Sequence, residues 1–289
     1  MKGMIVVKAD LHMHTTESDG RLSREALFKH AASRGIDLIS ITDHDTCLNV
    51  DDNVQLAKKY GLQYIPGIEL STLYKGKNVH VLGYFTDDSH NNKAMLDYYK
   101  MIKRGREERA KQFIENLKKY FDIHITYEQL NTIAHGIIAR PHIAKAIIEN
   151  YPEYSHNEVF DRFIGDHSIA YVPSTELSTE EGIKLLRDHH ALVVLAHPKL
   201  LKPHIHDDVL MFDFDGIEAI YGTNTEVETT YYRNIADKRG MFVTAGSDFH
   251  GIVNDQKHKD VGFVSLTGED LTRFLTRYET LKKTVSTND

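Results

Sequence analysis

The chain has 289 residues, 41% hydrophobic and 27% charged, which fits one large globular domain or a domain carrying an insertion and excludes a disordered or fibrous chain. Its 35 basic residues against 42 acidic ones give a formal charge of −7, the wrong sign for a protein that grips long duplex nucleic acid over a broad surface. The longest clean apolar run, residues 191–196, is far short of the roughly 18 needed for a membrane span, and one cysteine, Cys47, allows neither an internal disulfide nor a thiolate metal site. The polar Asp10 and His12 follow the start MKGMIVVK too closely for a secretory leader, so the expectation is a cytoplasmic protein without a membrane partner.

In chain order, short β-branched runs at 4–9, 38–42, 63–69, 78–85, 191–196, 216–221 and 241–245, with a further one at 261–266, read as strands. Helical text lies between them. Residues 23–34 are an example: Ser23 is placed as N-cap, Leu27, Ala31 and Ala32 fall near one face, and Gly35 ends the helix. This alternation predicts βα units on a parallel sheet or barrel. From about 87 to 169 it gives way to mostly helical text, read as an insertion. Within it, residues 100–119 carry eight basic and three acidic side chains, either a solvated helix face or a place to receive an anionic substrate.

Histidine is abundant, 18 residues without any tag-like run, and its placement is informative. His12 and His14 end the first strand at a spacing that puts both imidazoles on one face; Asp10 shares that face and is expected to orient one ring. Asp19 lies in the following loop, His44 in ITDHDT, Glu69 in IPGIEL, His80 in NVHVLGY, His197 in VVLAHP, and Asp248 with His250 in TAGSDFHG. Each alone has an ordinary explanation as a turn former or helix cap. Together they occupy strand ends, and a parallel barrel gathers those onto one face, so nine nitrogen and oxygen donors would surround one cavity. His204 and His206 share the first pair's spacing but follow no strand, and are read as surface residues of a loop.

The ordered motifs DLHMHT, ITDHDT, GIEL, NVHVLGYF, LAHP and GSDFHG resemble those of the PHP (polymerase and histidinol phosphatase) phosphoesterases, over residues 9–251. The resemblance implies an α/β fold, a distorted (β/α)7 barrel built from 1–86 and 170–289, with 87–169 as a mostly helical insertion capping the active site. It implies His12, His14, Glu69 and Asp248 on one metal, Glu69 bridging to a second held by His80 and His197, and Asp19, His44 and His250 on a third. Such donors suit two or three divalent ions of manganese, iron or zinc. Asp19 stands where the histidinol phosphatase branch has histidine, which points away from that branch.

RGREERAKQFIENL and IIARPHIAKAI resemble the inserted domain of PHP enzymes that act on nucleotide phosphates. The residues agree physically. Arg106 shares a helical stripe with Ala110, Phe113 and Leu117, and Arg140 precedes Pro141 and His142 at a helix start, where backbone N–H groups favour phosphate. Arg106, Arg140 and His142 are therefore expected to bind substrate, with His142 also a candidate to protonate the departing sugar oxygen. The expected activity is hydrolysis of a small nucleotide's phosphate ester, a nucleoside 3′,5′-bisphosphate or an AMP-like molecule, by a hydroxide bridging two metals. Alternatives are 5′–3′ trimming of short 5′-phosphorylated RNA, cleavage of a cyclic phosphate, or a non-catalytic metal-binding regulatory module.

Overall fold

Two sheets and ten α-helices of the computed structural model are described over residues 7–134, 136–173, 177–252 and 258–287. The expected strand at 4–9 thus lies partly outside the described residues. In chain order the elements are β1 (Ala9–Asp10), α1 (Arg24–Ser33), β2 (Leu38–Ile39), α2 (Val50–Tyr60), β3 (Gln63–Tyr64), β4 (Gly67–Tyr74), β5 (Lys77–Phe85), α3 (Lys93–Phe121), α4 (Tyr127–Ala134), α5 (Arg140–Asn150) and α6 (His156–Val159). There follow β6 (Leu177–Ser178), α7 (Thr179–Asp188), β7 (Ala191–Leu195), α8 (Pro203–Val209), β8 (Gly216–Tyr221), α9 (Glu226–Arg239), β9 (Phe242–Gly246) and α10 (Gly268–Ser286). The fold is mixed α/β. The strands β1-β2-β3 form one parallel sheet and β6-β4-β5-β7-β8-β9 a second.

The second sheet corrects the expectation of an all-parallel arrangement, because β5 runs antiparallel to both β4 and β7. Local chemistry explains this. β4 and β5 are joined by Lys75 and Gly76 alone, both with positive φ (48° and 70°), a two-residue hairpin turn that can only connect antiparallel strands. Pro66 separates β3 from β4, so the strand expected at 63–69 is two; Pro removes a ladder donor. The strand expected at 261–266 does not form: the chain turns there, with Gly262 at φ 72° and Phe263 N–H on Asp260 O, and only Leu266 bridges to Ala9.

Elsewhere the sequence rules act as expected. Ser23 caps α1 by accepting the Ala26 N–H, and β7, central between β5 and β8, is apolar and buried throughout. Single parallel bridges, Met13 to Phe249 and His44 to Glu69, join segments of the first sheet to the second. They bring four of the motifs into contact.

The 29-residue helix α3 connects two apolar cores. Its first half buries Met95, Tyr98, Tyr99 and Ile102 in the cluster that includes the second sheet. Its second half buries Ala110, Phe113 and Leu117 with Leu130, Ile143, Ile147 and Phe163 in a separate cluster. Removing Phe113, fully buried there, would cost on the order of 3–5 kcal/mol. Six of the eight basic residues of 100–119 are exposed along α3, whereas Arg106 and Arg109 turn inward.

Candidate metal centre

Asp10 anchors the end of β1. Its carboxylate accepts the peptide N–H groups of Ser247 (3.1 Å), Gly262 (2.9 Å) and His12 (3.4 Å), so it fixes backbone and orients no ring, contrary to expectation. The carboxylate that meets His12 is Glu218 of β8, with Oε1 3.0 Å from Nδ1. His12 and His14 follow, fully buried, with ring centroids 5.2 Å apart. The next loop is tied to Asp43, which accepts from Thr15 N–H (2.7 Å), Thr15 Oγ1 (2.6 Å) and Ser18 Oγ (2.6 Å); this holds Asp19 against the cup.

Glu69, buried in β4, is the focus. Its Oε1 lies 2.9 Å from His80 Nδ1 and 2.9 Å from His197 Nε2. Its Oε2 lies 3.2 Å from His12 Nε2, 3.1 Å from His14 Nε2 and 3.2 Å from His44 Nδ1. Five imidazoles therefore crowd one carboxylate. Asp248 reaches the first pair from the other side, with Oδ1 3.4 and 3.2 Å from His12 and His14 Nε2, while Asp19 lies 3.3 Å from His250 Nε2 and 3.8 Å from His44 Nε2. All nine residues expected at one cavity meet in this cup.

Burial alone would favour neutral groups here, but the charges answer one another. For Glu69, Asp19 and Asp248, burial is outweighed by neighbouring histidines, which hold all three carboxyls well below the usual range. Burial opposes the charged form of His14 too, yet the Asp248 and Glu69 carboxylates beside it push it up to about 10. His44 goes the other way, down to about 3, because burial outweighs the pull of Glu69 and Asp19, and His14 and His80 beside it disfavour a further positive charge.

These groups fit divalent cations. His12 Nε2, His14 Nε2, His44 Nδ1 and Glu69 Oε2 are buried and make no hydrogen bond among the described residues, although they face each other. Donor sets close enough to share an ion are His12, His14, Glu69 and Asp248; His14, Asp19, His44 and His250; and His44, Glu69 and His80. A fourth set, Asp248, His250 and His258, adds a residue that sequence reasoning passed over; His258 stacks on His250 with centroids 4.1 Å apart. No motif marked His258, whereas Glu218 had a signal: a lone acid inside the apolar strand GIEAIY.

The cup opens into a cavity of about 180 Å³ lined by Asp19, His44, Glu69, His80, His197 and Asp248 among others, with Pro141 of α5 over it. Arg106, Arg140 and His142 are not among its described lining residues. Arg106 Nη2 pairs with Asp45 and donates to Ser71 Oγ at 2.8 Å, and Arg140 Nη1 pairs with Asp166 at 2.8 Å. His142 is buried and its Nδ1 accepts the Ala139 N–H at 3.0 Å. Burial, with Arg21 and Arg106 nearby, lowers His142 to about 4. It is thus a neutral imidazole at neutral pH, with Nε2–H available as a hydrogen-bond donor but no imidazolium proton to give a leaving group.

His204 and His206 show why spacing needs context. They lie on helix α8, not in a loop; His204 is exposed and His206 is half-buried beside Tyr232. Residues two apart on a helix point in different directions, so this pair cannot converge as His12 and His14 do.

A mixed α/β fold that gathers six histidines and three carboxylates, with buried donor atoms lacking hydrogen partners, defines a metal-dependent phosphoesterase once its relatives are considered. The chain belongs to the PHP family, whose PHP domain matches residues 10–196. It is 28% identical over 252 residues to a 5′-3′ exoribonuclease of Haemophilus influenzae, covering 84% of this chain and 90% of that one. It is 26% identical over 252 residues to a 3′,5′-nucleoside bisphosphate phosphatase of Chromobacterium violaceum, covering 83% and 86%. A crystal structure from Bifidobacterium adolescentis, of a protein classed as a metal-dependent phosphoesterase, superposes with a TM-score of 0.78 at 26% identity over 93% of this chain and 96% of that one. The chain is a metal-dependent phosphoric ester hydrolase. Among the described residues, no helix is long and apolar enough to cross a membrane.

Proposed function

We propose that the protein hydrolyses the phosphate ester of a small nucleotide, a nucleoside 3′,5′-bisphosphate or an AMP-like molecule, with the phosphoryl group seated in the Glu69 cup. The observation that carries this reading is the five imidazoles around Glu69, two carboxylates beside them, and buried nitrogens without hydrogen-bond partners. Two or three divalent ions of manganese, iron or zinc would be held by His12, His14, Glu69 and Asp248, by His80, His197 and Glu69, and by Asp19, His44 and His250. Bound there, such ions neutralise phosphoryl oxygens and make water acidic enough to attack near neutral pH.

The remaining work falls to the chain's own residues. A cavity of about 180 Å³ is below the roughly 300 Å³ at which pockets begin to enclose a drug-sized ligand, so it suits a phosphoryl group with the nucleoside outside. Pro141 places the start of α5 over the opening, where Arg140 can exchange Asp166 for a second phosphate and His142 Nε2–H can donate a hydrogen bond. Arg106, paired with Asp45 beside His44, links α3 to the cup, and would reach a phosphate only by leaving that carboxylate.

In this reading 1–86 and 170–289 form a distorted (β/α)7 barrel and 87–169 a helical cap. The separate apolar cluster of Ala110 to Val172 and the packing of Gly136 and Ile137 against the Glu17 backbone support it. The same cup suits a 5′-phosphorylated trinucleotide, and the similarity to the Haemophilus exoribonuclease favours that second reading. A time course with manganese on a nucleoside 3′,5′-bisphosphate beside a 5′-phosphorylated trinucleotide decides between them. Faster release of inorganic phosphate from the bisphosphate is the expected result; faster release of mononucleotides from the trinucleotide replaces it with the second reading.

A further inference from the structure

Strand β8 contributes none of the nine cup residues, yet it lies between β7 and β9, which lead into His197 and Asp248. Glu218 stands at its centre, fully buried, where an isolated carboxylate would carry a large desolvation cost. Both of its oxygens are engaged. Oε1 is 3.0 Å from His12 Nδ1, and Oε2 accepts the His197 peptide N–H at 2.8 Å.

The backbone is shaped around this contact. A Cβ at residue 246 would lie 2.2 Å from Glu218 Oε1 and 2.2 Å from His12 Cβ, so only glycine allows the carboxylate and the imidazole to meet there. A carboxylate on Nδ1 keeps that nitrogen protonated and leaves Nε2 as the free donor. That Nε2 is the atom 3.2 Å from Glu69 Oε2 and 3.4 Å from Asp248 Oδ1 that makes no hydrogen bond. His197, held by its peptide at φ 24°, in turn presents Nε2 to Glu69 Oε1 at 2.9 Å.

We propose that Glu218 is a positioning residue of the metal centre, fixing the tautomer of His12 with one oxygen and the backbone of His197 with the other so that both present Nε2 to the cup. The inference rests on the reading of the cup as a cation site. It assigns β8 the task of orienting donors supplied by its neighbours in the fold.

The test compares wild-type protein with Glu218→Gln, each stripped by chelation and titrated with Mn²⁺ in a calorimeter, with melting curves recorded with and without the metal. Glutamine fills the same volume but presents one acceptor and one donor, so it cannot satisfy two N–H groups. Mn²⁺ affinity is expected to fall about 10- to 100-fold and excess Mn²⁺ to restore much of the activity, while the metal-free melting temperature falls by only a few degrees. Unchanged Mn²⁺ affinity in the variant overturns the role of Glu218 and leaves the cation reading standing. A wild-type protein that binds none of Mn²⁺, Fe²⁺ and Zn²⁺ in the same titration overturns both. Should Glu218→Gln not fold without metal, Glu218→Asp carries the same test, since it keeps the charge but is too short to span His12 and His197; undiminished affinity there overturns the proposal.

Discussion

The cup and the helices above it use charge in opposite ways. In the cup, carboxylates face imidazoles, and His12 Nε2, His14 Nε2 and His44 Nδ1 make no hydrogen bond among the described residues, an arrangement that suits an added cation. In the helical region, Arg106 and Arg140 already hold acids of the same chain, Asp45 and Asp166. One region leaves buried donor atoms facing one another for an added ion and the other has its charges paired internally. On the proposed reading the first responds to metal, whereas the second would have to trade partners to bind phosphate.

The strongest way to break this contrast is at Glu69. Glu69→Gln removes the charge on which five imidazoles converge while keeping the shape, and kcat is expected to fall by roughly 10³-fold or more because metal-assisted chemistry loses its central ligand. Elemental analysis of the purified variant should show reduced metal content. Near-normal activity with normal metal content would remove Glu69 from the centre of the site. His12→Ala is expected to abolish turnover with little loss of fold, read by kinetics beside circular dichroism.

Acid stability probes the helical side. His142 is neutral in the folded protein down to about pH 4, whereas an unfolded histidine protonates near 6.5. Below pH 6.5 the unfolded chain binds the extra proton, so the stability His142 contributes above that pH is lost as the pH falls from about 6.5 towards 4. The linked loss is about 3 kcal/mol. In urea melts at pH 7 and pH 4.5, wild type is expected to lose about 2 to 3 kcal/mol more than His142→Gln, whose side chain can still accept the Ala139 N–H as a capping residue. Equal losses would mean that His142 is not held neutral.

How much of this was legible follows from what kind of contact each residue makes. The cup residues could be read because His12, His197 and Asp248 follow strands set by local apolar runs; Glu69 and His80, expected at strand ends, lie instead inside β4 and β5, where the hairpin register brings them to the same place. Glu218 left a readable trace as an acid in an apolar strand, although its partner did not. The pairings of Arg106 with Asp45 and Arg140 with Asp166 left none, since nothing in helical periodicity says which distant acid a guanidinium will meet. The antiparallel β5 was missed for a different reason: Lys75-Gly76 was a turn signal, but the rhythm of βα units masked it.

The second of those ion pairs allows a finer test. Arg140→Ala is expected to raise KM about 10-fold for a nucleoside 3′,5′-bisphosphate, and less for a substrate with one phosphate, consistent with a charged hydrogen bond worth about 1.5–3 kcal/mol. Asp166→Asn should move KM for the bisphosphate the other way, because it releases Arg140 from its internal partner. If both substitutions raise KM equally on both substrates, Arg140 serves to hold the helices together and the second phosphate is bound elsewhere.

The smallest expected effect comes from the other pair with HxH spacing, and it tests the whole basis on which cup and surface were separated. His206 sits on α8, 3.2 Å from the Tyr232 hydroxyl, while His204 is exposed. On a helix their side chains diverge, so they lack the shared face that the end of β1 gives His12 and His14. The double substitution of His204 and His206 by alanine should leave metal content and kcat within about 2-fold of wild type and lower stability by about 1 kcal/mol at most, through the lost Tyr232 contact. Metal stoichiometry by elemental analysis reads this directly. A lost equivalent of metal would show that spacing, and not the strand that carries it, governs which histidines bind.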